Sequence, residues 1–263
     1  MNRDRRIPKP ESRWTLVDGL RMHARVSEGP TTEGSPTVVL VHGLVVSGRY
    51  MLPTLELLAP AFRVYSPDLP GFGKSEKPPR VLDVAGLSDA LAAWMGTVGL
   101  GSAALVGNSL GCQIVADLAA RRPDLVEQAV LQGPTMDPRA RFLPRLAARF
   151  LLDAPREPLP LLPIELRDYW AAGTRRGWRT LRHALKDRIE EKLPRVRAPA
   201  LVVRFAGPHL PARLGRGGVR TTAARATRGR TRRGPPAQLR GARGVRRPDP
   251  GVPPRGAGGV SGA

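Results

Sequence analysis

The chain has 263 residues, a net charge of +21 and one cysteine, Cys112. That length suits one α/β domain with a smaller helical addition, and a lone cysteine excludes an internal disulfide framework. No apolar run is long enough for a membrane span. The charged first residues lead into no apolar stretch, so a reduced, cytoplasmic setting is expected rather than secretion.

Taken in chain order, residues 14–26 (WTLVDGLRMHARV) predict a hairpin turning at Asp18-Gly19. Residues 37–41 (TVVLV) form a continuous β-branched run, the pattern of a strand buried on both faces. A helix is expected near 50–58, a strand at 62–66 and a glycine-rich loop at 68–75. Pro78-Pro79 then precedes a helix over 84–98. A short strand at 102–106 leads into a helical pattern at 112–120, and another strand follows at 128–131. Strands alternating with helices predict a mostly parallel sheet, with its site at the carboxyl ends of the strands.

Between the strand at 102–106 and its helix lies Gly107-Asn108-Ser109-Leu110-Gly111. A serine flanked by glycines at a strand-to-helix turn is a nucleophile elbow. The turn leaves no room for side chains two positions either side of Ser109, and the helix N-terminus favours developing negative charge. His42-Gly43-Leu44 ends the strand at 37–41. Such a loop supplies a second backbone N–H to an oxyanion, which makes Leu44 and Leu110 the candidate donors. His42 is expected to be structural, and Cys112 a small buried apolar residue.

These motifs, together with the loop Asp68-Leu69-Pro70-Gly71-Phe72-Gly73-Lys74-Ser75, resemble the α/β-hydrolase superfamily. The likeness runs over about residues 14–203 and is strongest to cap-bearing serine hydrolases, such as carbon–carbon bond hydrolases and esterases. It implies an α/β-hydrolase fold: a mostly parallel sheet with helices on both faces and a helical cap. The activity implied is hydrolysis of an ester or related carbonyl bond, with C–C bonds included, in a small molecule. Ser109 would be the nucleophile, supported by His42, Gly43, Gly107 and Gly111. Asp68 would brace its loop, and Asp137 is an alternative place for the triad acid. No cofactor or metal is implied.

The resemblance breaks at the base. None of His23, His42, His183 and His209 stands where the family places its catalytic histidine, and a serine without a base is a weak nucleophile. Residues 206–263 contain 13 Arg, one acid (Asp249) and no aromatic residue, and so carry +12 of the net charge. Such Arg, Gly, Pro and Ala usage is what GC-rich DNA encodes out of frame, and we read the tail as a frameshifted terminus. The eighth strand and last helix are therefore expected to be missing or disordered, leaving a sheet edge open to aggregation. An RNA- or DNA-binding tail is the weaker reading, because no aromatic residue is interleaved for stacking.

The domains expected are a first core part at 1–137, a cap at 138–193, a core strand at 194–205 and the tail at 206–263. Phe142, Phe150, Tyr169, Trp170 and Trp178 are expected to pack the cap onto the core, and Arg175, Arg176 and Arg179 to form a solvated face. The partner expected is a small-molecule substrate, with neither a membrane nor a nucleic acid. The alternative function is a non-catalytic binding protein of the same fold.

Overall fold

A computed structural model describes residues 9–29, 35–134, 162–205 and 219–224. Eight strands form one sheet in the order β1-β2-β4-β3-β5-β6-β7-β8. The hairpin β1 (Glu11–Val17) and β2 (Leu20–Ser27) turns at Asp18 and Gly19, both at positive φ. That conformation suits the two-residue turn that matches strand twist. β2 runs antiparallel to β4 (Arg63–Pro67). From β4 onward the pairing is parallel, through β3 (Thr37–Val41), β5 (Ala103–Asn108), β6 (Val126–Gln132) and β7 (Ala200–Phe205).

The apolar run of β3 is buried from Val38 to Val41 because helices cover both faces. On one side α1 (Leu52–Leu58) closes a small cluster of Leu40, Met51, Leu55 and Val64. On the other, α2 (Val84–Thr97) and α3 (Leu110–Arg121) build the main core with Leu91, Trp94, Leu105 and Ile114. α3 is buried along nearly its whole length, from Leu110 to Ala119. Each such large side chain contributes roughly 1.5–3 kcal/mol through removal from water. The burial fixes α3, and with it the turn at its N-terminus.

Three further helices, α4 (Leu162–Ala172), α5 (Thr174–Lys186) and the short α6 (Ile189–Lys192), fall inside the segment expected to form a cap. Residues 138–161, including Phe142 and Phe150, lie outside the described residues.

The sheet departs from expectation at its far edge. β8 (Val219–Ala224) lies in the tail and pairs parallel with β7, from Ala200 beside Val219 to Phe205 beside Ala224. Its sequence, VRTTAA, has the β-branched residues a strand favours. The Arg- and Gly-rich surroundings masked that signal. The edge of β7 is therefore covered, so β7 is not the open edge expected to cause aggregation.

Candidate active site

At the carboxyl end of β5 the chain turns sharply into α3, with Ser109 at φ 56° and ψ −115°. A non-glycine residue there costs about 1–3 kcal/mol and persists only when its surroundings hold it. The constraints are visible on both sides. A Cβ on Gly107 would lie 2.5 Å from the Gly111 carbonyl oxygen, and one on Gly111 would lie 2.2 Å from that of Val41. Neither position can carry a side chain. The Ser109 N–H donates to the Gln132 carbonyl at 3.0 Å, and the Cys112 N–H donates to Ser109 O at 3.0 Å. The Cys112 thiol, fully buried, points to the carbonyls of Gly107 (3.2 Å) and Gln132 (3.3 Å). Burial pushes its pKa up, so it stays a thiol and fills space, as expected for a small buried residue.

The loop after β3 stands against this turn. A Cβ on Gly43 would meet Ser109 Cβ at 3.2 Å and Ser109 Oγ at 3.6 Å. Glycine here lets the backbone come close to the hydroxyl. Ser109 is half-buried and faces this loop rather than the interior.

His42 sets the orientation of that loop. Its Nε2 accepts from the Leu69 N–H at 3.0 Å, so Nδ1 carries the proton and donates to the Gly43 carbonyl at 2.9 Å. Burial lowers its pKa, which keeps the ring neutral. In a trans peptide the C=O and the following N–H point in opposite directions. Holding the Gly43 carbonyl therefore fixes where the Leu44 N–H points. On the other side of Ser109, Leu110 is the first residue of α3, where N–H groups lack an intrahelical acceptor.

Asp68, at the end of β4, is completely buried and saturated with donors. It receives His23 Nδ1–H (2.9 Å), Arg25 (3.1 Å), and the N–H groups of Gly48 (2.7 Å) and Lys74 (2.9 Å). Burial pushes its pKa up, but His23, the Lys74 N–H and Arg25 outweigh that and hold it low. Its carboxylate is spent on bracing the glycine-rich loop.

The α4–α5 pair closes over these loops. Ser47 Oγ donates to buried Asp168 on α4 at 2.6 Å, and Lys77 caps the Ala171 carbonyl at 2.6 Å. Gly177 of α5 abuts Val45, where a Cβ would meet Val45 Cγ1 at 2.9 Å. Behind them, Gln113 of α3 donates to the Ala184 carbonyl at 2.9 Å. Two sequence expectations fail here. Tyr169, Trp170 and Trp178 do not pack inward; they are 43%, 77% and 51% exposed. Arg176 is not solvated like Arg175 and Arg179. It lies over Gly71, donates to the Pro78 carbonyl at 3.0 Å and has its pKa lowered by burial.

The structure thus brings together His42, Gly43, Leu44, Gly107, Ser109, Leu110 and Gly111. Asp137 and His209 lie outside the described residues. Among the described residues, Ser109 Oγ has no hydrogen-bond partner. His23 and His42 are committed elsewhere, and His183 sits half-buried on α5. No group of three or more His, Cys, Asp or Glu among the described residues could hold a metal ion. The His23–Asp68 pair was not foreseen, since 45 residues separate its members. The Ser47–Asp168 bond likewise had no local signal.

The mostly parallel sheet with helices on both faces is that of the alpha/beta hydrolase fold, and the model of that family matches residues 36–230, about three quarters of the chain. The chain belongs to this family. The match extends past β7 and through β8. Among relatives, an (E)-2-((N-methylformamido)methylene)succinate hydrolase of Acinetobacter baylyi is 33% identical over 102 residues, 38% of this chain and 38% of the relative. A haloalkane dehalogenase of Mycobacterium marinum is 35% identical over 117 residues, 43% of this chain and 38% of the relative. The matched stretch spans 38% of the length of each of these curated relatives. The enol-lactonase of Burkholderia xenovorans LB400 has the same fold, with a TM-score of 0.63 and 23% identity over 81% of this chain and 91% of that one.

Proposed function

We propose that the chain is a serine hydrolase in design, built for an ester or related carbonyl bond, C–C bonds included, in a small molecule. Ser109 Oγ adds to the carbonyl carbon. The π electrons move to oxygen, and the oxyanion is held by the N–H groups of Leu44 and Leu110. The Ser109 hydroxyl proton passes to the leaving group as its bond to the carbonyl carbon breaks, leaving an acyl-serine; water then adds to that ester, its oxygen going to the acyl group and a proton returning to Ser109 Oγ. The observation that carries this reading is the strained Ser109 backbone, with its side chain so close to Gly43 that a Cβ added there would lie 3.6 Å from Ser109 Oγ.

The absence of a partner for Ser109 Oγ among the described residues supports a qualification: the chain lacks the triad histidine and its turnover is impaired. Removing the histidine of a serine triad lowers turnover by roughly a millionfold. It also supports a second reading, a binding protein of this fold that retains the pocket without the chemistry. A fluorophosphonate probe separates them. The expected outcome is slow labelling at Ser109, abolished in Ser109→Ala. Labelling elsewhere overturns the nucleophile assignment. No labelling favours the binding protein, and labelling as fast as in an intact triad overturns the impairment.

A further inference from the structure

We propose that the outer face of the α4–α5 pair docks on an anionic lipid surface. The proposal does not rest on the catalytic reading. α5 has two faces at helical spacing. Gly177, Thr180 and Ala184 are buried, while Arg175, Trp178, Arg179 and Arg182 face outward. The sequence of α5, TRRGWRTLRHALK, holds no acidic residue. Among the described residues none of Arg175, Arg179 and Arg182 has an ion-pair partner. Across the bend at Gly173, the end of α4 adds Tyr169 and Trp170, the latter 77% exposed.

A soluble surface gains nothing from two exposed indoles beside unpaired guanidinium groups. A lipid surface uses both. The indole settles at the headgroup level with its apolar body inward and its N–H toward water, and the guanidinium forks onto a phosphate. An acidic protein would satisfy the arginines but not the indole faces. RNA would use both, but would favour the tail, where the arginines are most numerous. No helix among the described residues is long and apolar enough to cross a membrane, so contact is with the surface. The inward side of α5 touches Val45, next to Leu44. Docking therefore holds the helix pair, and the loop at Val45 on which it packs, against the lipid.

The tail would also attract anionic vesicles, so the readout must be local to the helices. The full chain carrying Trp14→Phe leaves Trp94, which is buried, and the two helix-pair indoles as emitters. It is titrated with vesicles of brominated phosphatidylcholine, with or without phosphatidylglycerol. The expected result is blue-shifted, quenched emission with phosphatidylglycerol present, little response without it, and reversal by salt. Arg175→Gln with Arg179→Gln and Arg182→Gln should weaken the response about a hundredfold. Co-sedimentation without quenching would mean that the tail alone binds, and overturns the proposal. Equal quenching by neutral vesicles, quenching by RNA instead of vesicles, or burial of the indoles by self-association in the absence of lipid each overturns it too. The comparison of vesicle compositions needs no helix variant, so a variant that fails to fold does not spare the proposal.

Discussion

Two turns at the carboxyl edge of the sheet make opposite use of a polar side chain. After β4, Asp68 is buried and every lone pair that matters is taken by His23, Arg25, Gly48 or Lys74. After β5, Ser109 is held in a costly backbone conformation, yet its hydroxyl has no partner among the described residues. A saturated group stabilises the fold. A strained residue at a half-buried turn is the candidate for function rather than bracing. The difference separates a bracing carboxylate from a candidate reactive hydroxyl without reference to sequence motif.

The contrast can be broken most severely at Gly111. In Gly111→Ala the new Cβ would meet the Val41 carbonyl, which is backbone and cannot swing aside. Loss of about 4 kcal/mol or more is expected, read as collapse of the denaturant midpoint or of the folded yield. Asp68→Asn keeps the shape but removes the charge facing His23 and Arg25. A cost of about 3 kcal/mol is expected in equilibrium unfolding, because it leaves buried donors without a charged partner.

At the other turn the sign reverses. Ser109→Gly should raise stability by about 1 kcal/mol by relieving the positive φ, while removing all fluorophosphonate labelling. A destabilised variant would mean that the serine side chain braces the turn as Asp68 braces its own. Gly43→Ala sharpens the point. Its Cβ would press on Ser109 with room for only a small shift, so stability should change by less than about 1 kcal/mol while labelling falls at least tenfold.

The smallest effect is in pH. His42 has a folded pKa below its ordinary value of 6.5. The unfolded chain therefore binds the proton first, and stability present above pH 6.5 declines as pH falls toward the lower folded value. Asp68 adds a second decline at more acid pH, below its ordinary 3.8, lost as pH falls through its depressed folded value. Melting temperature measured across pH 2–8 should show both windows, and His42→Gln should erase the upper one.

What was legible in the sequence was local. Asp18-Gly19, TVVLV and Gly107 to Gly111 each announce a turn or strand within a few residues, and each forms where expected. The fold class and family followed from them. The His23–Asp68 pair was not legible, because His23 sits in an alternating strand and its partner lies on another. Nor was β8, whose three β-branched residues are diluted by Arg and Gly. The aromatic residues on α4 and α5 misled for another reason. Large apolar side chains predict burial only where something exists to bury them. Sequencing the coding DNA around codon 205 would show whether the tail is read in its original frame.

One acceptor ties the serine turn to the sheet behind it. The Gln132 carbonyl, at the end of β6, takes the Ser109 N–H at 3.0 Å and the Cys112 thiol at 3.3 Å, on opposite sides of the bend. Doubly engaged, that carbonyl should vibrate at lower frequency than its neighbours in the strand. A carbon-13 label at position 132 would thus turn the amide I band into an infrared gauge of whether the bend is wound or relaxed, with no ligand or turnover required.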